Sequence, residues 1–181
     1  MKNFSLEKPL PPETIVRDAR DAYLAENGFN MEQYDANSVS VNFFGIRLYF
    51  PNPPSRKLAV RYHDLHHVMT GYGTDATGEA EVSVWELRRG IKIFGLYVRL
   101  IILVSLFQGL LHSPRVLFKA WKASKTGNPL PTPTISHYES LLPLTLGDLR
   151  LLYGLPAAGL TGARALHLDA PNRQSERKTK R

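Results

Sequence analysis

From Ile91 to His112 the chain reads IKIFGLYVRLIILVSLFQGLLH, in which Lys92, Gly95, Arg99, Ser105, Gln108 and His112 recur at helical spacing as one thin polar stripe and nearly everything else is apolar. A helix this apolar has to be covered, either by the core of its own domain or by an interface. Spanning a bilayer is disfavoured. Only fifteen uncharged residues separate Arg99 from Arg115, fewer than the roughly 17 to 25 a spanning helix uses, and a central arginine would cost about 2.5 to 3.5 kcal/mol. The flanks favour an interface. Between Glu86 and Glu139 stand eight basic residues, Arg88, Arg89, Lys92, Arg99, Arg115, Lys119, Lys122 and Lys125, and no acid. Such asymmetry points to an anionic partner, and next to an apolar helix it points to a membrane surface.

The other segments predict a mainly α fold, a single-domain helical bundle with one short β-hairpin near the N-terminus. Thr14 to Asn27 has apolar residues at helical spacing and stops at Gly28. Val39 to Phe50 alternates about Phe44-Gly45 as a hairpin, ended by the prolines from Pro51. A helix follows from Arg56 to about Thr70, with Ser55 placed to cap it and Gly71 beyond its end. Next come a turn at Gly71 to Asp75, a helix from Thr77 to Arg89, and a basic helix from Pro114 to about Ser124. Gly127 to Pro133 is a Pro-rich connector, and Thr145 to Asp148 resembles a capping box opening a short helix to Tyr153. Residues 1–168 are expected to form one domain, and 169–181 a disordered basic tail.

With no cysteine among 181 residues, disulfides, thiolate zinc sites, iron-sulfur clusters and cysteine nucleophiles are excluded, so any metal must take nitrogen and oxygen ligands. The first residues carry neither a secretory signal pattern nor an organelle transit pattern, which makes cytoplasmic residence the expectation. Phosphate-binding glycine motifs and RNA-binding aromatic signatures are missing too, so no nucleic acid partner is expected.

Polar chemistry concentrates at His63-Asp64-Leu65-His66-His67 and Glu79. On a helix turning about 100° per residue, His67 falls near 40° and Asp64 near 100° from His63, so three donors share one sector. Leu58, Tyr62, Leu65 and Met69 face away, near 200° to 260°, with His66 on their border as a core histidine rather than a ligand. Glu79, on the following helix, can fold back toward His63 and His67. Imidazoles and carboxylates together suit zinc, iron, manganese or, less naturally, magnesium. Adjacent helix residues seldom converge on one ion, so Asp64 is equally a partner that orients an imidazole or a general base.

The run from His63 through Thr70-Gly71-Tyr72, followed by Gly78-Glu79, resembles the coenzyme Q (ubiquinone) biosynthesis protein family called Coq-four. That family carries His-Asp-x-x-His, eleven residues, then Glu, a pattern His63, Asp64, His67 and Glu79 fill. The resemblance implies a mostly helical fold, peripheral attachment to the inner (cytoplasmic) membrane, and a divalent metal ion, zinc first, held by those four residues. It also implies a polyprenylated quinone precursor or similar isoprenoid lipid as ligand, other ubiquinone-biosynthesis proteins as partners, and an open possibility of a homodimer. The chemistry implied is removal of the ring carboxyl group at carbon 1, coupled to oxidation there, with Asp64 or Glu79 moving protons. The alternative is a non-catalytic scaffold that organises the biosynthetic enzymes.

Overall fold

The structure is a computed structural model that describes residues 10–43, 46–90, 95–125 and 127–160. The expected tail at 169–181 and the hairpin turn at Phe44-Gly45 lie outside the described residues, as does Lys92 of the polar stripe. The chain folds as α1 (Val16–Glu26), α2 (Met31–Asp35), β1 (Ser38–Phe43), β2 (Ile46–Pro51), α3 (Pro54–Thr70), α4 (Ala76–Arg89), α5 (Leu96–His112), α6 (Pro114–Ala123), α7 (Ile135–Leu141) and α8 (Leu146–Leu152). It is mainly helical, with one antiparallel hairpin in which Ser38 pairs with Pro51 and Phe43 with Ile46.

At the centre is α3. Its start departs from the expected serine cap: Pro53 is the N-cap residue and makes no side-chain cap bond, and Pro54 opens the first turn. Proline suits that position because its fixed φ is already helical and its missing N–H would have had no partner. The end is as expected, with Gly71 left-handed at φ 84° and its N–H donating to the His67 carbonyl. Tyr62, Leu65 and Met69 are buried on the apolar side, and Asp64, His66 and His67 are buried too, so α3 is enclosed on both faces. From α8, buried Arg150 donates to the carbonyls of Met69, Leu10 and Ala157, pinning the end of α3 to both ends of the described chain.

The next helix, α4, begins at an Asp75 cap whose carboxylate accepts from the Gly78 N–H at 2.8 Å. Gly78 is obligatory here: a Cβ on it would lie 2.0 Å from the backbone oxygen of Gly73. That close approach folds the turn flat and aims Glu79 back at α3. Val82 and Trp85 are fully buried in the core. The adjoining face, bearing Ser83 and Glu86, is buried as well, with Glu86 against His63 and His66 of α3.

Unlike these, α5 is turned inside out. Ile102 and Gly109 are buried and Val98 and Leu106 partly so, a seam along which Gly109 would place a Cβ 2.2 Å from the Cβ of Ala80 on α4. Leu100, Leu103, Val104, Phe107, Leu110 and Leu111 point outward, each more than half exposed. Arg99 and Ser105, two residues of the polar stripe, are half-buried. Phe118 and Trp121 of α6 extend that face, with Lys122 over the Phe118 ring and Arg88 over the Trp121 ring. Among the described residues no helix is long and apolar enough to cross a membrane.

Candidate metal centre

His67 is fully buried, and its Nδ1 lies 3.2 Å from the backbone carbonyl of Tyr72. A carbonyl only accepts, so Nδ1 carries the proton and the Nε2 of neutral His67 is a bare lone pair. His63 is fixed in the same way, its Nδ1 lying 3.0 Å from Oε1 of Glu86. Burial alone would raise the Glu86 pKa, but the charge of His63 and hydrogen bonds from His63 and His66 bring it down to about 2. Glu86 is therefore an ionised acceptor and His63 donates to it from Nδ1.

Both Nε2 atoms consequently face one another, 3.1 Å apart. Glu79 closes the triangle, with Oε2 3.1 Å from His63 Nε2 and Oε1 3.4 Å from His67 Nε2. Burial acts to raise the Glu79 pKa, yet in the metal-free protein, with the imidazoles protonated, hydrogen bonds from His63 and His67 and their charges hold it well below the carboxylate range. Three acceptors at such separations repel unless a cation or a proton lies among them. Two nitrogens each about 2.05 Å from one zinc ion at a tetrahedral angle stand about 3.3 Å apart, so the spacing suits an ion. The second nitrogen of each imidazole donates to a carboxylate or a carbonyl, the usual outer partners of a metal-bound histidine. His63, His67 and Glu79 thus form a group that could hold a metal ion. With no ion the triangle can hold a proton: burial disfavours a charged His63, but the charge of Glu86 and hydrogen bonds to Glu79 and Glu86 outweigh it and raise its pKa well above the ordinary value.

Asp64 is not brought into this group. The turn of about 100° from His63 carries its side chain toward α1 and α2, where Oδ2 accepts from the Tyr34 hydroxyl at 2.5 Å and Oδ1 from the Tyr23 hydroxyl at 3.2 Å. Burial raises its pKa, against the Tyr34 hydrogen bond and the charges of His63 and His67. Through Tyr23, whose ring stacks on that of His67 with centroids 5.7 Å apart, Asp64 steadies His67 from behind. His66 is a packed core residue, fully buried against Trp85, Tyr62 and Tyr153.

Sequence reasoning placed Glu86 on a polar helix face without assigning it to the site. The signal was its spacing, seven residues or two turns beyond Glu79 on the same face of α4.

The group opens on a cavity of about 580 Å³ whose lining includes His63, Asp64, Glu79 and Glu86 together with Val98, Ile101 and Ile102 of α5. The hydroxyl-bearing rings of Tyr23 and Tyr34 form a further wall. Ile101, one of the lining residues, is 42% exposed. His67 is sealed from solvent, whereas the side chains of His63 and Glu79 are 25% and 36% exposed, and the open side of the donor triangle is the cavity side. Compared with known proteins, the chain matches no family model, no curated protein and no solved structure.

Proposed function

We propose that this protein is a membrane-associated, metal-binding enzyme of ubiquinone biosynthesis, acting in the removal of the carbon-1 carboxyl group of a polyprenylated hydroxybenzoate precursor as carbon dioxide, with a proton taking its place on the ring. The observation that carries the reading is the donor triangle of His63, His67 and Glu79 beside a cavity in which polar donors share the lining with the apolar side chains Val98, Ile101 and Ile102 of α5. That mixed lining matches a ligand with an oxygen-bearing ring and an isoprenoid tail. Three protein ligands also leave a coordination position free, the mark of a catalytic rather than a structural zinc site.

Zinc is the preferred ion, with iron, manganese or magnesium as alternatives. When bound, such an ion supplies Lewis acidity toward the substrate's carboxylate or phenolic oxygens and stabilises the negative charge left as carbon dioxide departs. The chain's own residues do the rest. The apolar side chains Val98, Ile101 and Ile102 hold the tail and exclude water from the ring. Glu79, partly exposed at the cavity, is placed to move a proton. Asp64 acts by holding Tyr23 and Tyr34 in the cavity wall. The outer faces of α5 and α6, with exposed Arg115, Lys119 and Lys122 beside Phe118 and Trp121, rest on an anionic lipid surface.

A lipid-binding scaffold would use the same apolar face, but the free coordination position favours the enzyme. The test is mass spectrometry of metals and lipids that copurify with the protein, together with ubiquinone synthesis in cells relying on His63→Ala or Glu79→Ala. A bound divalent ion, a prenylated aromatic acid and an accumulating precursor in the variants are expected. Normal synthesis with no accumulated precursor would exclude catalysis at this site.

A further inference from the structure

Glu86 is 1% exposed, yet its Oε1 alone carries its hydrogen bonds, accepting from His63 Nδ1 at 3.0 Å and from His66 Nδ1 at 2.7 Å. Its Oε2 is buried without a hydrogen-bond partner, and so is Nε2 of His66. A buried carboxylate half satisfied in this way is a poor stabilising device, because a well-packed apolar residue would avoid the desolvation penalty. The arrangement makes sense as a fixture. His66, wedged by Trp85 and Tyr153, holds Glu86 from one side. From the other side Glu86 takes the Nδ1 proton of His63, turning the His63 Nε2 lone pair toward His67 and Glu79. Without that acceptor the His63 ring could rotate or take the other tautomer, and the lone pair would be lost to the triangle.

We infer that Glu86 is the positioning residue of the metal centre, an outer partner that fixes the tautomer and orientation of His63 and is itself clamped by His66. The inference rests on the metal reading of the donor triangle. It assigns His66 a purpose that its burial hides: the ring does not bind the ion but locks the residue that orients a ligand.

The test compares the wild type with Glu86→Gln, Glu86→Leu and Val84→Ala. Gln keeps the acceptor oxygen without the charge, and Leu removes the acceptor. Val84 is a buried residue on the opposite side of α4 and controls for general destabilisation. Zinc affinity is measured by calorimetric titration, and the ring nitrogens of His63 are followed by NMR in the zinc-loaded protein. The expected result is a loss of about 10- to 100-fold in zinc affinity for Glu86→Gln, a larger loss for Glu86→Leu, and a changed His63 nitrogen pattern in Glu86→Leu. Val84→Ala should lower the melting temperature with wild-type affinity. Glu86 variants that bind zinc within twofold of wild type, or Val84→Ala losing as much affinity as Glu86→Gln, would overturn the inference. A wild-type protein that binds no zinc, iron(II) or manganese would overturn the metal reading itself, a distinguishable result because the parent fails with the variants.

Discussion

Substituting Gly78 by alanine separates two physical effects of opposite sign. Helix propensity alone predicts stabilisation, since Ala is favoured over Gly in a helix by about 0.8 to 1 kcal/mol. The structure predicts the reverse. The new Cβ would meet the carbonyl oxygen, carbonyl carbon and Cα of Gly73 at 2.0, 2.4 and 2.7 Å, all backbone atoms that no rotamer change can move away. An ordinary carbon-to-oxygen approach is about 3.3 Å or more, so the first turn of α4 has to shift by more than about 1 Å. Overpacking of that kind costs about 1 to 3 kcal/mol, or a melting temperature lower by about 2 to 12 °C for a chain of this size. Glu79 is the next residue and moves with the turn. Metal donors tolerate about 0.2 Å, so zinc binding should suffer more than folding does. In thermal denaturation with and without zinc, the wild type should gain about 2.7 kcal/mol at a zinc concentration of 100 times Kd, and Gly78→Ala should lose most of that gain. A variant with wild-type stability and the wild-type response to zinc would refute the argument that Gly73 and Gly78 set the position of Glu79.

Replacing His67 by Ala should abolish the thermal response to zinc, read by the same assay. Tyr34→Phe removes a hydroxyl donor from buried Asp64 and should destabilise the fold by about 1 to 3 kcal/mol in urea denaturation. In the metal-free protein the His63 pKa is raised above its ordinary 6.5, so its contribution is complete below pH 6.5 and is lost as pH rises through the raised value. Glu86, lowered from 4.5 to about 2, contributes above pH 4.5 and loses that contribution as pH falls toward 2. Melting temperature against pH should therefore fall on both sides without metal, and saturating zinc should remove the alkaline decline, since neutral imidazoles bind the ion. Substituting Phe107 and Leu111 together by serine should leave stability within about 0.5 kcal/mol, because both side chains are exposed, and should abolish flotation with anionic vesicles.

The long helices and the hairpin were legible because each has a strong period and marked ends, as at Gly71 and Gly90, both left-handed. Two short helices, α2 and α7, escaped because five and seven residues hold too few turns for a period to register. Meeting of His63, His67 and Glu79 followed from helical spacing plus one tight turn. The direction of Asp64 did not, because it depends on Tyr23 and Tyr34, which are 41 and 30 residues away in the chain. Glu86 was hidden for a similar reason: a carboxylate on a polar helix face reads as solvated until the packing of α4 on α3 shows that the face is inside.

At the crossing of α5 and α4 no side chain intervenes between Gly109 and Ala80, the residue after Glu79. The outer surface of α5 and the ion-binding donors are thus separated by about one helix thickness, roughly 10 Å. On the proposed reading, a prenyl tail in a lipid layer covering α5 would have only that far to travel for its polar end to arrive at Glu79, past the apolar side chains of Ile101 and Ile102. Solvation of the tail would change little on entry, so discrimination between ligands falls almost wholly on the ring.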